Sequence, residues 1–416
     1  MKLSLCIICK NEEKRIERCI NSVKGYVDEM IVVDTGSTDK TIDIVKKLGA
    51  KVFEIEWEDD FAKARNYAIS KAKGDWIIFL DADEYVIEED RRYIRNYVIE
   101  AINRRTEGIM VEMLNVDGEE IQSVFRPVRI FKRDPKILYT GKIHELVLKE
   151  GKQIKLLNFK EPLRLRHDGY SEEVKVEKNK VNRNLEMLLE EYELNKEDAN
   201  ICYYLMETYY ADRKLQEAYE FGHQVIQYNN GNLTGIKQIT YSTLMQIYFD
   251  MKKTQEEMND LYNEAVQADP SYPDFDFRYG YYWYKNNNYK QAIIYLEQSV
   301  VKVENYQGIE KSSVVVNITT LYKMLSHCYL VENMNHKAVA VFIKMLRINK
   351  YEYESLYNLV RIVGETESPQ ALANFLYKIY DISNFKDQEV LRLMAEKVEN
   401  KPLHTYIEDS IAKHIS

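Results

Sequence analysis

Glycine and proline are scarce, at 15 and 7 of 416 residues. Little of the chain is therefore available for low-complexity or linker segments, and folded structure is expected almost throughout. Cysteine is scarcer still: Cys6, Cys9, Cys19, Cys202 and Cys328. The odd count and wide scatter argue against a disulfide framework. Cys6 and Cys9 have CxxC spacing, but they sit in the apolar run LSLCIIC and no second thiol pair follows. Buried strand thiols are expected there rather than a zinc or redox centre. There is no basic excess; the formal net charge is −9, which disfavours a nucleic-acid partner. No apolar run approaches the roughly 18 residues that span a bilayer. The run Leu3–Cys9 ends at Lys10-Asn11-Glu12-Glu13 without a small-residue cleavage site, so neither a signal peptide nor membrane insertion is expected. The expected setting is the cytoplasm.

A chain of this length suits two domains, and the periodicity changes to match. Up to about residue 100, strand and helix alternate. Residues 3–9, 29–34, 51–57 and 76–80 are predicted strands, with helices over 12–24 and 59–72. Ser37 or Thr38 is placed to cap a further helix, with Asp39 in its first turn. This βαβα order predicts a mostly parallel sheet with helices on both faces, and ligands outside the carboxyl ends of its strands. Beyond residue 105, GIMVEMLNV, SVFRPVRIFK, KILYTGKIHE and IKLLNF are predicted strands of a mixed sheet. From about residue 173 the pattern is helical. Three stretches, around Ala218, Ala292 and Ala338, resemble helix-turn-helix units of the roughly 34-residue tetratricopeptide type, irregularly spaced. Their small residues allow close helix approach. Most of the 33 Tyr lie in this part; their rings fill inter-helix space or line a concave peptide groove. The expected domains are residues 1–172 and 173–416.

The chemistry is carried by acidic residues at strand ends. Asp81-Ala82-Asp83 follows WIIFL. Read as extended chain, Asp81 and Asp83 point the same way. Two hard carboxylates there suit Mg²⁺ or Mn²⁺ bridged to phosphate oxygens. Such an ion stabilises negative charge on a departing nucleoside diphosphate. Asp34 ends the second strand and can accept hydrogen bonds from a base or ribose. Within Asp60-Phe61-Ala62-Lys63-Ala64-Arg65-Asn66, Lys63 and Arg65 can bring positive charge to a diphosphate. In Gly141-Lys142-Ile143-His144-Glu145, a strand would turn only one of His144 and Glu145 toward the site, and a carboxylate there is a candidate base. His167, in Arg166-His167-Asp168-Gly169-Tyr170, can complete a metal shell. Arg126 and Arg129, in the single expected strand QSVFRPVRIFK, are placed on the acceptor side, with Tyr170.

Together, LSLCIICKNEEKRIERCINSV, EMIVVDTGSTDKT, DFAKARNYAI, WIIFLDADE, TGKIHE and RHDGY resemble family 2 glycosyltransferases of the GT-A fold, over about the first 170 residues. The resemblance implies that Asp34 contacts uracil, Asp81 the ribose or diphosphate, and Asp83 the metal, with His167 a further ligand. Glu145 occupies the position of the catalytic base, although many members carry Glu-Asp where this chain has His144-Glu145. It also implies inversion at the anomeric carbon. Nearly the whole chain is similar to the sublancin-type S-glycosyltransferases. That implies UDP-glucose as donor, a Cys or Ser of a bacteriocin precursor peptide as acceptor, and a homodimer. Two other readings stay open: a family 2 enzyme acting on another protein, glycan or lipid carrier, and an inactive transferase core on a repeat scaffold.

Overall fold

The computed structural model describes residues 1–118, 120–168, 174–308, 310 and 312–415. The chain divides into two compact units, one from Met1 to Lys253 and the other built from Thr254–Gly308 and from Ser312 onward.

In the first unit, β1 (Leu3–Cys9), β2 (Glu29–Asp34), β3 (Lys51–Glu54) and β4 (Trp76–Phe79) alternate with α1 (Ile16–Val23), α2 (Thr41–Lys47) and α3 (Phe61–Lys71). These four strands are parallel, with β1 between β2 and β4. There follow β5 (Glu84–Val86), α4 (Ile94–Asn103), β6 (Gly108–Met110), β7 (Glu112–Asp117), β8 (Glu120–Phe125) and β9 (Val128–Lys132). The sheet region closes with β10 (Ile137–Thr140), β11 (Leu146–Lys149), β12 (Lys152–Gln153), β13 (Leu156–Leu157) and β14 (Arg164–His167). The main sheet runs β13-β6-β9-β4-β1-β2-β3, with β9 antiparallel to both neighbours. Two smaller sheets, β10-β11-β12 and β5-β14-β7-β8, flank it.

The central strands are apolar on both faces because both are covered. Leu3, Leu5, Ile7, Val32 and Ile78 pack with Ile16 and Ile20 of α1 and Ile94 and Val98 of α4. On the other face Cys6, Ile31, Val33, Ile77 and Phe79 pack with Ala62, Ala68 and Ile69 of α3. Each fully buried aliphatic side chain contributes about 1.5–3 kcal/mol. This is the GT-A arrangement, a Rossmann-like mixed sheet with helices on both faces.

Several expected strands are shorter or divided. GIMVEMLNV forms β6 and β7, with a register shift at Ile109/Met110. QSVFRPVRIFK is two strands in different sheets, broken at Pro127, which has no N–H for a ladder. Helix α2 begins only at Thr41. Neither Ser37 nor Thr38 caps it; Asp39 accepts the Thr41 N–H at 2.9 Å instead.

The first unit continues through α5 (Val174–Leu194), α6 (Ala199–Ala211), α7 (Leu215–Tyr228) and α8 (Ile236–Asp250). Helical structure thus begins near the expected residue 173, while the compact unit runs on to Lys253. The second unit comprises α9 (Gln255–Ala268), α10 (Pro273–Lys285), α11 (Tyr289–Asn305), α12 (Ser313–Val316), α13 (Ile318–Val331), α14 (Asn335–Ile348), α15 (Tyr353–Gly364), α16 (Pro369–Leu376), α17 (Phe385–Lys397) and α18 (Lys401–Ile415). The three repeat-like stretches are the helix pairs α6–α7, α10–α11 and α13–α14. Ala218, Ala292 and Ala338 are fully buried within them. Among the described residues, no helix is long and apolar enough to cross a membrane.

Candidate active site

The carboxyl ends of β1, β2 and β4 meet at one edge of the main sheet. After β4 the chain turns rather than extending: the Glu84 N–H donates to the Asp81 carbonyl at 3.0 Å. Asp81 and Asp83 consequently have different partners, a correction to the extended reading.

Asp81 lies between two guanidiniums. Its Oδ1 is 2.7 Å from Arg65 Nη1 and its Oδ2 is 3.2 Å from Arg129 Nη2. Arg129 also holds Glu84, through Nη2 at 2.6 Å and Nε at 2.9 Å. Arg65 donates from Nε to Glu145 Oε1 at 2.6 Å. Its guanidinium carbon lies 4.9 Å and 5.2 Å from the centres of the Phe79 and Tyr139 rings. Three carboxylates thus share two guanidiniums in a chain Glu84–Arg129–Asp81–Arg65–Glu145. Burial alone would raise the Asp81 carboxyl; Arg65 and Arg129 outweigh it and hold that group well below the usual carboxylate range. Burial raises Glu84, against Arg129. With all three carboxylates ionised, the two guanidiniums leave the set with a net negative formal charge. Arg129 is thus tied directly to the strand-end carboxylates.

Asp83 faces His167, whose Nε2 is 3.2 Å from Asp83 Oδ2. The other ring nitrogen, Nδ1, is 2.8 Å from Asn115 Oδ1. Strand β14 lies between β5 and β7, which brings all three side chains together. A proton on Nδ1 donated to Asn115 leaves the Nε2 lone pair aimed at Asp83, the tautomer a metal ligand needs. Among the described residues no three His, Cys, Asp or Glu side chains are placed to hold a metal by themselves. One carboxylate and one imidazole, completed by phosphate oxygens and water, do fit Mg²⁺ or Mn²⁺. The hydrogen bond to Asp83 raises the His167 pKa, against burial, with the neighbouring carboxylates adding to the rise. The charged pair therefore stabilises the metal-free protein fully below the ordinary histidine value and fades as pH rises through the raised one. Metal needs the neutral ring. Mn²⁺ affinity should increase as pH rises past the ordinary histidine value of about 6.5 in wild type and much less in His167→Gln, as measured by calorimetric titration.

Asp34 is 2% exposed, and much of its accepting capacity goes to its own turn. Its Oδ2 accepts the N–H groups of Gly36 at 2.9 Å and Ser37 at 2.8 Å, and the Ser37 hydroxyl bonds to Oδ1. Asn11, just past the end of β1, pins the same loop, accepting the Thr38 N–H at 2.7 Å.

The segment Gly141–Glu145 is a turn, not a strand, because Gly141 and His144 have φ of +99° and +54°. Alternation therefore does not govern it. Glu145 reaches Arg65, and the His144 ring stacks on Tyr204 of α6 with centroids 4.1 Å apart and planes 10° apart.

Lys63 stands away from this cluster, exposed and paired with Glu58. Residues two apart on a helix differ by about 200°, so Arg65 faces the sheet and Lys63 the solvent. Arg126 bonds Asn158 at 2.9 Å and Glu112 at 3.2 Å. Ala82 is buried. Tyr170 lies outside the described residues. Sequence reasoning missed Glu84, Asn66 and Asn115. Glu84 adjoins the acidic triplet. Asn66 bonds both the Tyr139 N–H and carbonyl at 2.9 Å, joining α3 to β10. For Asn115 nothing local in the sequence gives a signal.

The fold is of the GT-A type, with an acidic cluster at its strand ends. Residues 4–103 match the family model described as "Glycosyl transferase family 2", and this region is a family 2 glycosyltransferase domain. The chain is 40% identical to a TPR repeat-containing protein of Synechococcus elongatus over 147 residues, 35% of either chain. It is 30% identical over 219 residues to the SPbeta prophage-derived glycosyltransferase SunS of Bacillus subtilis, 52% of this chain and 51% of that one. The aligned stretches thus span 35% and 51% of these relatives' lengths. Among solved structures, TarS of S. aureus is similar at a TM-score of 0.36 and 18% identity, over 63% of this chain and 55% of that one.

Proposed function

We propose that the protein is an inverting hexosyltransferase that moves glucose from UDP-glucose to a Cys, and secondarily a Ser, of a ribosomal bacteriocin precursor peptide. The observation that carries this reading is the meeting of Asp83–His167 and Arg65–Glu145 around Asp81 at the strand ends. The peptide acceptor is supported by the likeness of the Gly141–Glu145 and Arg166–Asp168 segments to S-glycosyltransferases, and by the identity shared with glycosyltransferase SunS. The helical repeats bind the precursor, and the chain works as a homodimer.

In this reading Asp34 receives the uracil and Asp81 faces the ribose or diphosphate. Asp83 and His167 would hold Mg²⁺ or Mn²⁺, which supplies charge stabilisation to the departing diphosphate. The acceptor sulfur attacks the anomeric carbon from the face opposite UDP. A C–S bond forms as the bond to the β-phosphate oxygen breaks, and UDP leaves with that electron pair. The thiol proton passes to Glu145, or to water when the thiol has already ionised near its ordinary pKa of about 8.5.

A hydroxyl does not ionise by itself, so the two acceptors should depend differently on Glu145. Glu145→Gln keeps an acceptor oxygen for Arg65 and removes the base. It should slow Ser transfer by about 10²-fold or more and Cys transfer by about tenfold or less. Equal losses on matched Cys and Ser peptides count against this role. The test of the whole reading is intact mass of a precursor peptide incubated with UDP-glucose, Mn²⁺ and the protein. Addition of hexose, blocked by alkylating the Cys, supports it. UDP release without peptide modification discards the acceptor, and no turnover of any UDP-sugar discards the transferase.

A further inference from the structure

The Gly141–Glu145 turn cannot hold its own shape. A left-handed backbone at a side-chain-bearing residue such as His144 is disfavoured and persists only where surrounding contacts impose it. Most of those contacts come from α5 and α6. The Lys142 N–H donates to Glu191 Oε1 at 2.6 Å, and its ammonium is 2.9 Å from Glu190. Ile143 is buried with Met187, Leu188 and Leu205. The His144 ring lies flat on Tyr204. From the sheet side, the Phe61 N–H donates to the Lys142 carbonyl at 2.8 Å, and Arg65 takes Glu145. Four consecutive residues, Lys142 to Glu145, are thus each fixed by a different partner, and only Glu145 is fixed from the sheet side alone.

We infer that Tyr204 is a positioning residue for the transfer reaction: its ring, stacked on His144, holds the Gly141–Glu145 turn so that Glu145 stays against Arg65 and presents one defined face to the acceptor. This deepens the transferase reading and rests on it. The contribution is the ring, not the hydroxyl, because the contact is face to face. The donor side, Asp34, Asp83 and His167, is not touched by Tyr204, so donor affinity should be independent of it.

The test uses the full-length chain with Tyr204→Leu and Tyr204→Phe. With UDP-glucose, Mn²⁺ and a Cys-containing precursor peptide, Tyr204→Leu should lower kcat by about 10²-fold, the scale of a displaced reacting group. The KM for UDP-glucose should not change. Tyr204→Phe should retain most of kcat. By NMR, the His144 Hε1 signal, assigned by its loss in His144→Gln, should keep its ring-current displacement in Tyr204→Phe and lose it in Tyr204→Leu. Wild-type kcat in Tyr204→Leu overturns the inference alone, as does a loss of kcat that Tyr204→Phe shares. A wild-type protein that turns over no UDP-sugar overturns the transferase reading, and the positioning role falls with it.

Discussion

Asp83→Ala lowers sugar transfer by about 10³-fold or more, because a bound divalent ion supplies several kcal/mol of charge stabilisation to a departing phosphate. The substitution removes the carboxylate that faces His167 Nε2. It leaves the ion pairs of Asp81 and Glu84 with Arg129 intact. The loss should therefore come without a large change in unfolding temperature. Initial rates of UDP release and a thermal melt on the same preparation check both halves. His167→Ala should follow with a smaller loss, because Asp83 and the diphosphate oxygens still offer ligands. A fully active Asp83→Ala would remove the ion from the account.

Arg65→Ala gives the opposite signature, in which stability falls together with activity. Arg65 is 7% exposed and lies between Asp81 and Glu145. Its removal leaves Glu145 without its cation and Asp81 with Arg129 alone. Breaking such a buried arrangement costs about 3–5 kcal/mol, read as a fall in Tm on the order of 10 °C. Arg65→Lys should recover only part of this, because one ammonium cannot reproduce the forked contact to two carboxylates or the stacking between Phe79 and Tyr139. Chemical denaturation of the three proteins measures the difference. An unchanged midpoint in Arg65→Ala would show that the charge chain does not support the fold.

The alternation of strand and helix was legible because β1, β2 and β4 are short apolar runs ending in turns, and the helices between them carry one apolar face. The pairing of Asp83 with His167 was also within reach, since both residue types at strand ends suit one ion. What local pattern could not supply was partners. Arg65 meets Glu145 across 80 positions of chain, and its basic character alone suggested a diphosphate contact. Backbone signs fell between these limits. Gly141 marked the end of β10 and Pro127 the division of β8 from β9, yet continuous apolar patterns on either side invited single strands. The change to helix near residue 173 was visible, but an amphipathic pattern does not say what its apolar face covers. Here Ile143 lies against α5 and α6, so a compact unit that includes the sheet runs on to Lys253.

Whether Asp83 holds an ion for the diphosphate is read from UDP binding to the full-length protein by calorimetry, with Mn²⁺ and with EDTA, in wild type and Asp83→Ala. Binding to the wild type should depend on Mn²⁺ and weaken strongly in Asp83→Ala. Equal UDP affinity with and without the ion, or UDP binding unaffected by the substitution, would contradict it.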